Sequence, residues 1–119
     1  MKTWKDLVAE ARREVTLRVV QEVKEKFDMG EAFILIDVRE PDEYQKGHIP
    51  GSTNVPRGVL EMTVEEHIQD PQKQIILHCM GGGRSAVAAQ SLRQMGYQNV
   101  ASMEGGFRAW AQSGYPVES

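Results

Sequence analysis

Gln74-Ile75-Ile76-Leu77-His78-Cys79-Met80-Gly81-Gly82-Gly83-Arg84-Ser85 is the stretch whose order decides the fold. The apolar run before His78 predicts a strand over 74–78. Gly81 to Gly83 then break the chain, and a helix is expected from about Ser85 to Met95, closed by Gly96. Strand, glycine loop and helix in that order make one unit of an α/β domain. In such sheets ligands gather beyond the carboxyl ends of the strands, which is where Cys79 falls.

The neighbouring segments repeat the pattern. Phe33–Ile36 reads as a second buried strand ending in Asp37, Thr53–Val55 as a short strand, and Val100–Ser102 as a last one. Helical spacing predicts helices over about Thr3–Glu14, Val20–Met29 and Val59–Ile68. A turn of helix opens at Pro41, and a short helix covers Gly106–Gln112. Val15–Arg18 fits an edge strand. Strands alternating with helices imply an α/β fold with a mainly parallel sheet. A single domain over 1–119 is expected, with a helical extension over 1–14 and the core over 15–119. The apolar stripe Trp4, Leu7, Val8, Ala11 and Val15 must be covered, by the domain itself or by a dimer contact.

Composition narrows the function classes. Fourteen basic and seventeen acidic residues leave a net charge of −3, which gives no electrostatic reason to expect nucleic acid or an anionic membrane as partner. No apolar stretch is long enough to span a bilayer, and the charged N-terminus lacks a signal-peptide core. Cys79 is the one cysteine, so the chain forms no internal disulfide, and a lone thiol suits a reducing, cytoplasmic setting. His48, His67 and His78 lack the paired spacing of a metal site, and no metal is expected.

The chemistry therefore centres on Cys79. Glycines at 81, 82 and 83 let backbone N–H groups face inward as an anion-binding nest. The helix that follows adds its positive end, and Arg84 adds a cation near the rim. All three favour a thiolate and would equally stabilise a persulfide anion. A buried structural cysteine is the bland alternative, but three glycines cost backbone entropy that a merely structural turn does not require. A phosphate loop of the Walker type would need a lysine after the glycines, and none is present.

At these residues the chain resembles the rhodanese family. Cys-x-x-Gly-x-Arg-Ser stands here as Cys79, Gly82, Arg84 and Ser85. Asp-Val-Arg-Glu-Pro-x-Glu-Tyr-x-x-Gly-His-Ile-Pro-Gly runs unbroken from Asp37 to Gly51, and Glu-Gly-Gly-x-x-Ala-Trp covers Glu104 to Trp110. The resemblance implies about five strands in a mainly parallel sheet, with helices on both faces. It implies ping-pong sulfur transfer through a persulfide on Cys79, with no other cofactor. Met80, Gly81, Gly82, Gly83, Arg84 and Ser85 would form the anion cradle, Arg84 helping to bind the anion and Ser85 bonding the sulfur. The donor would be thiosulfate or a persulfide or polysulfide; the acceptor would be cyanide in vitro and a thiol or thioredoxin-like protein in cells. Well-studied thiosulfate-using relatives often carry further cations in the loop, whereas this loop offers Arg84 alone.

Other residues have readings of their own. Asp37 ends a buried strand and needs a partner, which Arg39 or His48 would supply in a supporting role. Glu40 and Glu43 read as helix N-terminal charges. Phe107 and Trp110 read as core, and His78 points away from Cys79 across its strand. The resemblance leaves two rivals: a small cysteine phosphatase or arsenate reductase, whose loop holds five residues between Cys and Arg where this one holds four, and a non-catalytic persulfide-sensing module. A monomer or weak homodimer is expected.

Overall fold

The computed structural model describes residues 1–119. Five strands form one sheet: β1 (Thr16–Arg18), β2 (Ile34–Asp37), β3 (Thr53–Asn54), β4 (Ile75–His78) and β5 (Val100–Met103). Their order is β1-β5-β4-β2-β3, and every pairing is parallel. Six α-helices join them: α1 (Trp4–Glu14), α2 (Val20–Asp28), α3 (Pro41–Lys46), α4 (Leu60–His67), α5 (Gly83–Gln94) and α6 (Gly106–Gln112). A short 3₁₀ turn, Arg57–Val59, precedes α4.

Alternation along the strands sorts the core into two layers. Ile36, Ile75, Leu77 and Cys79 face one way, packing with Leu60 and Val64 of α4 and with Ala88, Ala89 and Leu92 of α5. Leu35, Ile76, Ala101 and Met103 face the other way, packing with Val20 and Val23 of α2 and Trp110 of α6. Helices therefore cover both faces, as expected, and the sheet's centre is β4, buried throughout. Trp110 is core. Phe107 is only half buried and packs at the margin of that layer, so the core reading holds for one ring and in part for the other.

The stripe of α1 is covered in part from within the chain, at Ala11 and Val15. The helix lies on α5 with Ala11 fully buried. Thr3 caps it with a capping box, its hydroxyl accepting from the Asp6 amide. Trp4 and Leu7 nevertheless stay largely exposed. The helix after the cysteine begins at Gly83, two residues before the sequence signal. Glycine's entropic cost is smallest in a first turn, where the amides have no intrahelical partner in any case.

Candidate active site

The Cys79 loop hangs between the end of β4 and the first turn of α5. The Gly82 N–H donates to Cys79 Sγ at 3.1 Å, from a residue with φ of 110° that only glycine adopts without strain. Sγ also lies 3.6 Å from Ser85 Oγ. The thiol can donate to that oxygen, and the hydroxyl can turn toward the sulfur once the proton has left. Ser85 is fixed from behind by Ser102 Oγ at 2.8 Å and by the Gly82 carbonyl at 3.2 Å. The amides of Met80, Gly81, Gly83, Arg84 and Ser85 donate to no protein acceptor. The loop thus carries a ring of uncommitted donors around one sulfur.

The underside of the loop is clamped. The Phe107 amide donates to the Cys79 carbonyl at 2.8 Å and the Arg108 amide to the Met80 carbonyl at 3.0 Å. So close an approach requires Gly106, since a Cβ there would run into both carbonyls. On the same face Asp37 is held by Arg39, whose guanidinium donates to both carboxylate oxygens at 2.8–3.1 Å and to the Gly47 carbonyl at 2.8 Å. Both side chains are buried, and the guanidinium also stacks on Phe107, 4.3 Å from its ring centre. His78 pairs with Asp37 in the ladder. Burial pushes its imidazole down to about 4, partly opposed by Asp37, so the ring is neutral near pH 7. Its Nδ1 sits 3.4 Å from the Cys79 carbonyl and its Nε2 has no hydrogen-bond partner.

Two sequence expectations need correction. His48 does not serve Asp37: its Nδ1 bonds the Tyr44 carbonyl, its ring stacks on Tyr44 and its Nε2 faces Glu118 at 3.3 Å. The turn holds the ring against Tyr44, and the backbone of His48 pairs with Glu118, so the residue fastens the C-terminal segment instead. Arg84 is not a free cation. Its two terminal nitrogens bond Glu43 at 2.8 and 3.2 Å, which holds the Glu43 carboxyl below its ordinary range and raises the guanidinium. Glu43 is therefore more than a helix N-terminal charge, although it also caps the Glu40 amide at 2.9 Å.

Several contributors were not read from the sequence. Asn54 ties the end of β2 by donating to the Asp37 and Arg39 carbonyls, each at 2.9 Å. Glu104 binds Arg12 of α1. Arg108 reaches Gly81, its Nη1 3.5 Å from where a Cβ there would stand. The paired glycines 105 and 106 ahead of a helix were the available signal, since two left-handed residues in succession mark a forced close approach. Beside Met80 opens a groove of about 450 Å³ lined by Phe107, Ala111, Val117 and Lys46. No cluster of His, Cys, Asp or Glu is arranged to hold a metal ion, and no helix is long and apolar enough to cross a membrane.

Comparison with known proteins identifies relatives of the whole fold. The family model of the rhodanese-like domain matches residues 19–113. A sulfurtransferase of Allochromatium vinosum is 33% identical over 87 residues, 73% of this chain and 79% of that protein. A protein of unknown function from Rhodopseudomonas palustris, described as a possible tyrosine phosphatase, superposes with a TM-score of 0.93 at 31% identity, covering 99% of this chain and 96% of that one. A thiosulfate sulfurtransferase from Pseudomonas aeruginosa superposes with a TM-score of 0.84 at 33% identity, over 94% of this chain but 22% of that one. The match also spans only 46% and 59% of two Bacillus subtilis relatives.

Proposed function

Because the chain belongs to the rhodanese-like domain family, we propose that it is a sulfurtransferase that carries sulfane sulfur on Cys79. The observation that carries the reading is the Gly82 N–H donated to Sγ within a ring of uncommitted amides. Such a ring stabilises negative charge on the cysteine sulfur and on the outer sulfur of a persulfide. In the first half-reaction Sγ attacks the outer sulfur of the donor. A new S–S bond forms, the donor's own bond breaks, and its electron pair leaves with sulfite when the donor is thiosulfate. In the second half-reaction an acceptor nucleophile attacks the outer sulfur and Cys79 leaves as thiolate. The acceptor is cyanide in vitro or a thiol in cells. Cys79 is the chain's one cysteine, so the acceptor comes from outside it. The chemistry calls for no bound cofactor.

The phosphatase description of one structural neighbour supplies a second reading, and two features weigh against it here. Four residues separate Cys79 from Arg84, a small ring for a phosphate group. The guanidinium that would face phosphate is turned to Glu43.

The deciding experiment is mass spectrometry of the protein after thiosulfate treatment. A gain of one sulfur atom on Cys79, removed by cyanide with release of thiocyanate, is expected. Cys79→Ser should fold normally and gain none. Hydrolysis of an aryl phosphate without any sulfur gain would overturn the reading in favour of a phosphatase.

A further inference from the structure

Four arginines surround the loop, and three are spent. Arg39 is buried against Asp37, Arg84 is held by Glu43 and Arg12 by Glu104. Arg108 alone of the four has no ion pair and no side-chain hydrogen bond to the protein. It is anchored at both ends of its reach: its amide bonds the Met80 carbonyl at 3.0 Å, and its Nη1 hangs beside Gly81. Gly81 is the exposed apex of the loop, with its own amide uncommitted. A Cβ at that position would stand in ordinary van der Waals contact with Nη1, so the guanidinium lies directly against the apex of the loop.

We propose that Arg108, not Arg84, is the residue that selects sulfur donors by charge. It supplies positive charge to the oxyanion end of a donor whose outer sulfur faces Cys79. The Arg84–Glu43 pair is close to neutral seen from the loop and contributes little net attraction, whereas an unpaired guanidinium at the rim acts with its full charge, reduced only by solvent screening. The ligand class is a small sulfur oxyanion, and a dianion gains more than a monoanion. This inference rests on the sulfurtransferase reading and deepens it.

The test compares two donors with the same outer-sulfur chemistry: thiosulfate, a dianion, and methanethiosulfonate, a monoanion whose leaving group is a sulfinate. Transfer to cyanide is measured for the wild type and for Arg108→Ala, Arg108→Lys, Arg108→Glu and Arg84→Ala. Arg108 is exposed, so these changes leave the core intact, which a thermal melt verifies. Arg108→Ala should lower kcat/KM for thiosulfate about tenfold and for the thiosulfonate about threefold, mostly through KM. Arg108→Lys should restore most of the loss, Arg108→Glu should deepen it, and added salt should shrink the differences. A thiosulfate-to-thiosulfonate ratio that is constant across the Arg108 variants overturns the proposal. So does a ratio that moves with Arg84→Ala and not with Arg108→Ala. Wild-type protein that gains sulfur from neither donor removes the sulfurtransferase reading itself, whereas a wild type that gains sulfur with an unmoved ratio removes only the role of Arg108.

Discussion

Two helices begin at the Cys79 loop, and they use their N-termini in opposite ways. Both enter through a left-handed glycine without a side-chain cap, Gly82 for α5 and Gly105 for α6. The first amides of α5 are left free, and one N–H at its cap points at the sulfur. The Phe107 and Arg108 amides in the first turn of α6 are consumed by the loop's own carbonyls, at Cys79 and Met80. One N-terminus holds charge and the other holds shape. An anion nest formed by three flexible glycines keeps its geometry only if something else fixes the backbone, and α6 is that fixture.

The largest expected effect tests this division. Gly106→Ala puts a methyl group against two loop carbonyls at a φ of 57°. A loss of about 4 kcal/mol is expected from overpacking and backbone strain together. Gly82→Ala has a φ of 110° but meets nothing closer than 3.6 Å, so it should cost about 2 kcal/mol through backbone strain alone. Denaturant unfolding of both variants gives the ordering. A larger loss from Gly82→Ala would mean that α5, not α6, fixes the loop.

A pH titration sharpens the same contrast. The Cys79 carbonyl that caps α6 also faces His78 Nδ1 at 3.4 Å. In the unfolded chain this imidazole takes up its proton around 6.5, but in the folded state only near about 4. Between those values the unfolded chain holds more protons, so stability falls as the pH drops through that window and is complete above it. The contribution is up to about 3 kcal/mol at pH 4 relative to neutral. Denaturation midpoints from pH 7 to 4 should show this slope, and His78→Gln should flatten it. An unchanged slope in the variant would assign the acid loss to carboxylates elsewhere.

How much of this was legible in the sequence depends on the range of the contact. Ile75 to Leu77 followed by Cys79 and glycines is local information, and the sheet, the loop and the helix after it follow from that string. Asp37 and Arg39 are two residues apart on an extended chain, so their pairing was within reach of the sequence. His48 was a false candidate because nothing local says which way a Gly-His-Ile-Pro-Gly turn projects its ring. Glu43 and Arg84 meet across 41 positions, and Arg108 meets Gly81 only because α6 docks end-on beneath the loop. Charge at the site was therefore the least legible property: the cation nearest in sequence is neutralised by a distant carboxylate, and the unpaired arginine comes from another helix.

The smallest effect concerns the outer edge of the α6 side. Arg12 of α1 bonds Glu104 at 2.7 Å, just ahead of the paired glycines. The two side chains are 39% and 29% exposed, so Arg12→Ala should cost only about 0.5 kcal/mol and less in high salt. Its electrostatic consequence is more telling than its stability. The Glu104 carboxylate stands 4.0 Å from where a Cβ on Gly82 would be, and without Arg12 its charge faces the loop uncompensated. Thiosulfate kcat/KM should then fall about twofold at low salt, the size of a screened rim charge. Arg12→Ala combined with Glu104→Gln should recover it, because the repelling charge goes with the carboxylate. A twofold loss that persists in the double variant would mean that α1 acts on the loop by packing, through Trp4 and Val8 beside Gly83, and not by charge.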